Sequence, residues 1–174
     1  MRRAIIVGLL ATTACAGASG GYSGRTGSDA VAALYDRIGM HGDTPAAVRR
    51  SLGEPLRVDR NTVPNRHGYG TDTAITMVHP RWRHEFLALG ASGNVLLLGA
   101  ETTDPTVTFP GGITIGTTTG EVARTRLGPP EAEEARGDST IATWRHPTHE
   151  AESYVELAVL RDTVRLLRWV PYVD

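Results

Sequence analysis

The stretch Gly42-Asp-Thr-Pro-Ala-Ala-Val48-Arg-Arg-Ser-Leu52-Gly53-Glu-Pro55 decides how the chain is read, because a second version of it follows. That version is Gly116-Thr-Thr-Thr-Gly-Glu-Val122-Ala-Arg-Thr-Arg-Leu127-Gly128-Pro-Pro130. In both, a glycine precedes a valine by six residues, and Leu-Gly-x-Pro closes the stretch. Each reads as a short helix. Asp43 or Thr44 can cap the first, Pro45 suits its first turn, and Ala46, Ala47, Val48 and Leu52 continue it. Gly53 with Pro55, and Gly128 with Pro129, then stop the two helices.

The similarity continues downstream. Residues 73–80 (TAITMVHP) match 140–147 (TIATWRHP), 85–89 match 154–159, and 95–98 match 164–167. Matched segments in one order point to a tandem duplication whose loops vary in length. Val155, Leu157 and Val159 alternate with Glu156 and Ala158, the period of a strand with one buried face. Residues 90–94 (GASGN) and Arg161-Asp162-Thr163 mark hairpin turns. An extra helix is expected over 29–38, with Val31, Leu34, Tyr35 and Ile38 on one face. The second half is instead preceded by strand-like 106–109 and 113–115. Residues 56–72 read as a long polar loop. The expected fold is α+β, with two tandem modules (29–101 and 102–174), each a short helical layer on an antiparallel sheet.

Composition limits what such a chain can do. It has 174 residues, with 18 basic against 19 acidic, so it offers no basic field for nucleic acid. All the basic residues are arginine. One cysteine excludes a disulfide framework and any cysteine-rich zinc site. Glycine (20) and proline (10) are spread along the chain, which implies many turns rather than long helices.

The N-terminus reads as an address. Met1-Arg2-Arg3 is positive, and residues 4–11 (AIIVGLLA) form an apolar run far shorter than the ~20 residues that span a bilayer. Residues 1–14 are thus expected to be a signal peptide. Thr12-Thr13-Ala14-Cys15 has the form of a bacterial lipobox, which makes Cys15 the expected lipidation site. Cleavage after Ala16 or Ala18 is the alternative. Residues 15–28 follow as a Gly/Ser-rich flexible tether. Removing residues 1–14 takes away two arginines and no acid, leaving a mildly acidic chain. A lipid, not basic residues, would then hold it to a membrane.

Tyr35-Asp-Arg-Ile38, then Gly42-x5-Val48-x3-Leu52-Gly53-x-Pro55, then a strand ending like Trp144-Arg-His146-Pro147, together resemble the SmpA/OmlA type of small outer-membrane lipoprotein. The tandem arrangement is similar to the β-lactamase inhibitor proteins. The resemblance covers residues 29–174. It implies helices on antiparallel sheets and a sheet face that binds protein, in an exported, outer-membrane-anchored chain. The stretch matching the inhibitors' acidic hairpin tip is Pro80-Arg81-Trp82-Arg83, which is basic. β-Lactamase inhibition therefore does not carry over.

Chemistry is sparse. His79 and His84, echoed by His146 and His149, with Glu85 and Glu150 nearby, allow a metal or catalytic reading if hairpins fold them together. The competing reading makes them strand-end residues. Ser92 lies in a turn rather than a strand-to-helix elbow, so no nucleophile motif is present. The acids Glu131, Glu133 and Glu134 read as an exposed run. Gly111-Gly112 reads as a turn, and no lysine exists to complete a phosphate loop. Arg81, Trp82, Arg83, Arg165 and Arg168 are candidate partner-binding residues, since Trp and Arg are enriched in interface hot spots. Trp82, between two charges, is the expected exposed anchor, and Tyr172 lies beyond the last strand. Trp144 and Trp169 are expected to fill the core.

The functional expectation is a non-catalytic cell-envelope lipoprotein without a cofactor, binding an envelope protein partner. The alternative is a secreted enzyme or metal binder using His79/His84 and His146/His149.

Overall fold

A computed structural model describes residues 27–65, 68, 70–147 and 153–171. The expected signal peptide, Cys15, nearly all of the expected tether, His149, Glu150 and Tyr172 lie outside the described residues.

The two repeated stretches fold alike. Helix α2 (Pro45–Leu52) starts at Thr44, whose hydroxyl accepts from the Ala47 N–H, with Pro45 in the first turn. Helix α3 (Gly120–Leu127) starts at Thr119, whose hydroxyl accepts from the Val122 N–H. Both end on a glycine with nearly the same positive φ, +83° at Gly53 and +81° at Gly128. At Gly42 (φ +104°) a side chain would also run into Cβ of Ala47, so the glycine opening the first repeat is required sterically. Helix α1 (Gly27–Tyr35) precedes them and buries Ala30, Val31 and Leu34.

Each repeat helix is followed by four strands. After α2 come β1 (Arg57–Pro64), β2 (Thr71–Val78), β3 (Trp82–Ala88) and β4 (Val95–Thr102). A small pair, β5 (Thr108–Phe109) and β6 (Ile113–Thr114), leads to α3. Then come β7 (Ala132–Arg136), β8 (Ser139–Arg145), β9 (Tyr154–Leu160) and β10 (Thr163–Val170). The hairpin turns fall where glycine and short polar residues stand. Arg161 and Asp162 both have positive φ (49° and 57°), the backbone of a two-residue turn that matches strand twist.

The expected α+β architecture is corrected by the strand pairing. Eight strands form one continuous antiparallel sheet in the order β1-β2-β3-β4-β10-β9-β8-β7, so the chain is mostly β. The join is β4 against β10, through Thr102–Leu167, Glu101–Arg168 and Ala100–Trp169. Two separate sheets would leave both of these strands as unpaired inner edges, and pairing them satisfies their backbone groups. The three helices have only eight or nine residues each, too few to make a separate helical layer over each half.

Residues 56–72 are likewise corrected in part from loop to strand, since β1 takes up 57–64 of them and pairs with β2 along its whole length. The acids Glu133 and Glu134 belong to strand β7, every residue of which is exposed. These are the two outer strands, and charge there discourages edge-to-edge association.

One face of the sheet carries the core. Trp82, Trp144, Val155, Leu157, Val164, Leu167 and Trp169 pack against α1, α3 and the segment bearing Phe109, Ile113 and Ile115. A smaller cluster of Val48, Ile75, Met77 and Phe86 lies under α2. The Trp169 indole donates to the Leu34 carbonyl at 2.6 Å, satisfying an acceptor in the last turn of α1.

Candidate functional site

The three α-helices among the described residues lie on the core face, so the residues that alternate with the core along each strand form an open face that no described helix covers. Strand register aligns one row of them across all eight strands: Arg57, Val78, Arg83, Glu101, Arg168, Glu156, Thr143 and Ala132. Its centre alternates in sign. Arg83 pairs with Glu85 at 2.6 Å and with Glu101 at 3.6 Å, and Arg168 pairs with Glu156 at 3.4 Å. Beside this charged row lie half-buried Leu87 and Leu96 in the first half, and Ile141, Ala158 and Leu166 in the second. A shallow depression at the β4–β10 join is lined by Arg83, Glu85, Leu98, Glu101, Arg168 and Val170. It is floored by Gly99, where a Cβ would sit 3.0 Å from the Trp169 carbonyl oxygen.

The five expected partner-binding residues do not stay together. Arg83 and Arg168 meet on the open face, with only Glu101 between them across the join. Arg165 is exposed at a bulge of β10. Arg81 sits in the β2–β3 turn, 3.6 Å from the Asp104 carboxylate. Trp82 is corrected. It is 4% exposed and stacks on Trp169 at 6.0 Å, so it is a core residue and no anchor. Its indole N–H donates to Asp104 at 3.4 Å. Asp104 is pushed up by partial burial but held below its ordinary range overall by hydrogen bonds from Thr106 and Trp82 and by Arg81.

The histidines divide between the two halves. His79 and His84 come together, 6.3 Å between ring centroids, joined by His41 at 6.2 Å from His84. His146 lies at the end of β8, 4.9 Å from the Tyr35 ring. From β2 to β8 is five strand spacings, roughly 24 Å. A site built jointly from His79, His84 and His146 is therefore not assembled. Among the described residues, no group of three or more His, Cys, Asp or Glu is placed to hold a metal ion.

No known family matches this sequence, and no curated protein matches it. Among solved structures, the chain is similar to a DUF4309 family protein (YjgB) from Bacillus subtilis subsp. subtilis str. 168. The TM-score is 0.44 and the identity 12%, over 83% of this chain and 97% of that chain.

His41 is the residue that sequence reasoning passed over. It lies in the turn between α1 and α2, and nothing in its neighbours announces a contact with β3 some forty positions on. The charged row was equally hidden, because Glu101 and Glu156 gain meaning only from the β4–β10 and β9–β10 registers.

Proposed function

We propose that the chain is a non-catalytic cell-envelope lipoprotein, anchored through Cys15, that binds a protein partner on the open face of its sheet. One observation carries the reading. A single sheet of eight strands keeps its described helices on one side and offers the other as a continuous surface of alternating charge and half-buried leucine. Alternating Arg and Glu rows fix register with a complementary surface and reject like-charged ones. The flanking aliphatic side chains supply the apolar area on which affinity rests. The resemblance to SmpA/OmlA lipoproteins and to the β-lactamase inhibitor proteins supports the same use of a sheet face.

The test places a photo-crosslinking amino acid at Leu87 or Leu166 on the open face, and at exposed Thr125 on α3 as control, in cells making the full chain. Adducts of one defined mass are expected from the first two positions and none from Thr125. Charge reversal at both Arg83 and Arg168 (Arg83→Glu, Arg168→Glu) should weaken the captured complex at least about tenfold, roughly 1.4 kcal/mol. Adducts from Thr125 alone, or capture unchanged by the reversals, would refute the assigned face. Anchoring is read separately: Cys15→Ser should abolish incorporation of a radioactive fatty acid, and a persistent label would exclude Cys15 as its site.

A further inference from the structure

We propose that His41, His79 and His84 form an acid-operated latch that holds the α1–α2 turn and the end of α2 against strand β3. The proposal concerns the core side of the sheet and is independent of what the open face binds.

The three rings sit in one cluster and tie separate pieces of chain together. His41, in the α1–α2 turn, lies with Nδ1 2.8 Å from the Ser51 hydroxyl of α2. Its ring meets Trp82 edge-on at 4.4 Å between centroids. His79, in the β2–β3 turn, lies with Nε2 3.2 Å from the Gly53 carbonyl that ends α2. His84 stands on β3, fully buried, stacked between Trp82 at 5.8 Å and Phe86 at 6.2 Å. Along the sheet it faces Met77 of β2 and Ala100 of β4. Neither His84 nitrogen, nor His41 Nε2, nor His79 Nδ1 has a hydrogen-bond partner among the described residues.

Such a cluster accepts neutral rings and resists charged ones. An imidazolium donates from both nitrogens, and no acceptor stands at His84 to receive either. The faces of Trp82 and Phe86 attract a cation, but they replace neither the lost water nor the missing acceptors. The charged groups around the cluster are few. Asp104 acts on His41 but is engaged by Arg81, Thr106 and Trp82. Arg49, on the helix that carries Ser51, is paired to Glu54 at 3.5 Å. Charging a second ring adds repulsion between neighbours about 6 Å apart.

Titration follows the geometry. Burial, with His41 and His79 adding, pushes His84 down from 6.5 to about 4, and burial also lowers His41, against the pull of Asp104. Above pH 6.5 both the closed and the opened states hold His84 neutral, and the latch is at full strength. As the pH falls from 6.5 towards 4, the opened state takes up the proton first, so closure weakens by up to about tenfold per pH unit. Over the whole window the loss approaches about 300-fold. Because Arg83 and Glu85 flank His84 on β3, a loosened cluster also weakens the strand at the centre of the open face.

The test is a titration of the full chain from pH 7.5 to 4.5 by NMR, following the histidine ring signals and backbone hydrogen exchange corrected for intrinsic rate. His84 is expected to remain neutral below pH 5. Protection in residues 36–53 should fall by more than tenfold between pH 6.5 and 5, while α3 keeps its protection. His84→Phe keeps the aromatic stack and removes the proton site, and should flatten that pH dependence. Three results would overturn the latch: His84 titrating at 6.5 or above, equal loss of protection in α3, or the same pH profile in His84→Phe. Should that variant fail to fold, the wild-type ring titration and the comparison with α3 decide alone. A zinc titration at pH 7.5 that shifts all three rings together would replace the latch with a metal site.

Discussion

Replacing Trp169 by alanine is expected to cost about 3–5 kcal/mol, read as a lowered urea midpoint at unchanged slope. Trp169 is fully buried on β10, at the join of the sheet. Its ring stacks on Trp82 at 6.0 Å and meets Phe109 edge-on at 5.6 Å. Its N–H is also the donor that holds the end of α1. Truncation therefore opens a cavity beneath both halves and leaves the Leu34 carbonyl only its longer bond from the Arg37 N–H, at 3.3 Å. Against the 5–15 kcal/mol of a typical domain, this is a large fraction. Trp169→Phe separates the two effects, keeping most of the ring and losing the hydrogen bond, for about 1–3 kcal/mol. A loss below about 1 kcal/mol in Trp169→Ala would mean that the join does not hold the halves together.

What could be read from the sequence, and what could not, follows from how far each feature reaches. Caps and turns are local. Thr44 with Pro45, Gly53, Gly128 and Arg161-Asp162 each announce themselves within a few residues, and the structure has them in those roles. Strand β9 shows apolar alternation because one face is buried. Strands β1 and β7 show none, because an edge strand of charged residues meets little core, so β1 reads as loop and β7 as an acidic run. The single sheet depends on β4 meeting β10 about 70 residues away, a pairing that no window along the chain contains. The same distance hides the charged row and the His41 contact. Trp82 misled for a different reason. Charged neighbours on both sides suggest exposure, but on a strand neighbours point to opposite faces, so Arg83 outward is what buried Trp82 requires.

Phe86→Ala should cost about 3–5 kcal/mol as well, but where that loss appears is the more informative result. Phe86 is fully buried in the smaller cluster with Val48, Ile75 and Met77, covered by α2 alone. The larger cluster under α1 and α3 contains none of these four residues. The sheet hydrogen bonds run without a break from β1 to β7, yet the apolar packing that stabilises them falls into two clusters, bridged by half-buried Leu52 and the His84 ring. Backbone pairing contributes modestly net of water, whereas buried apolar area is the dominant favourable term. Cooperativity should therefore follow the packing. In Phe86→Ala, hydrogen exchange is expected to accelerate in α2, β1, β2 and β3 while β8, β9 and β10 keep their protection. In Trp169→Ala, whose cluster spans the join, both halves should lose protection together. If Phe86→Ala instead exposes every strand equally, the continuous sheet and not its divided core sets the folding unit.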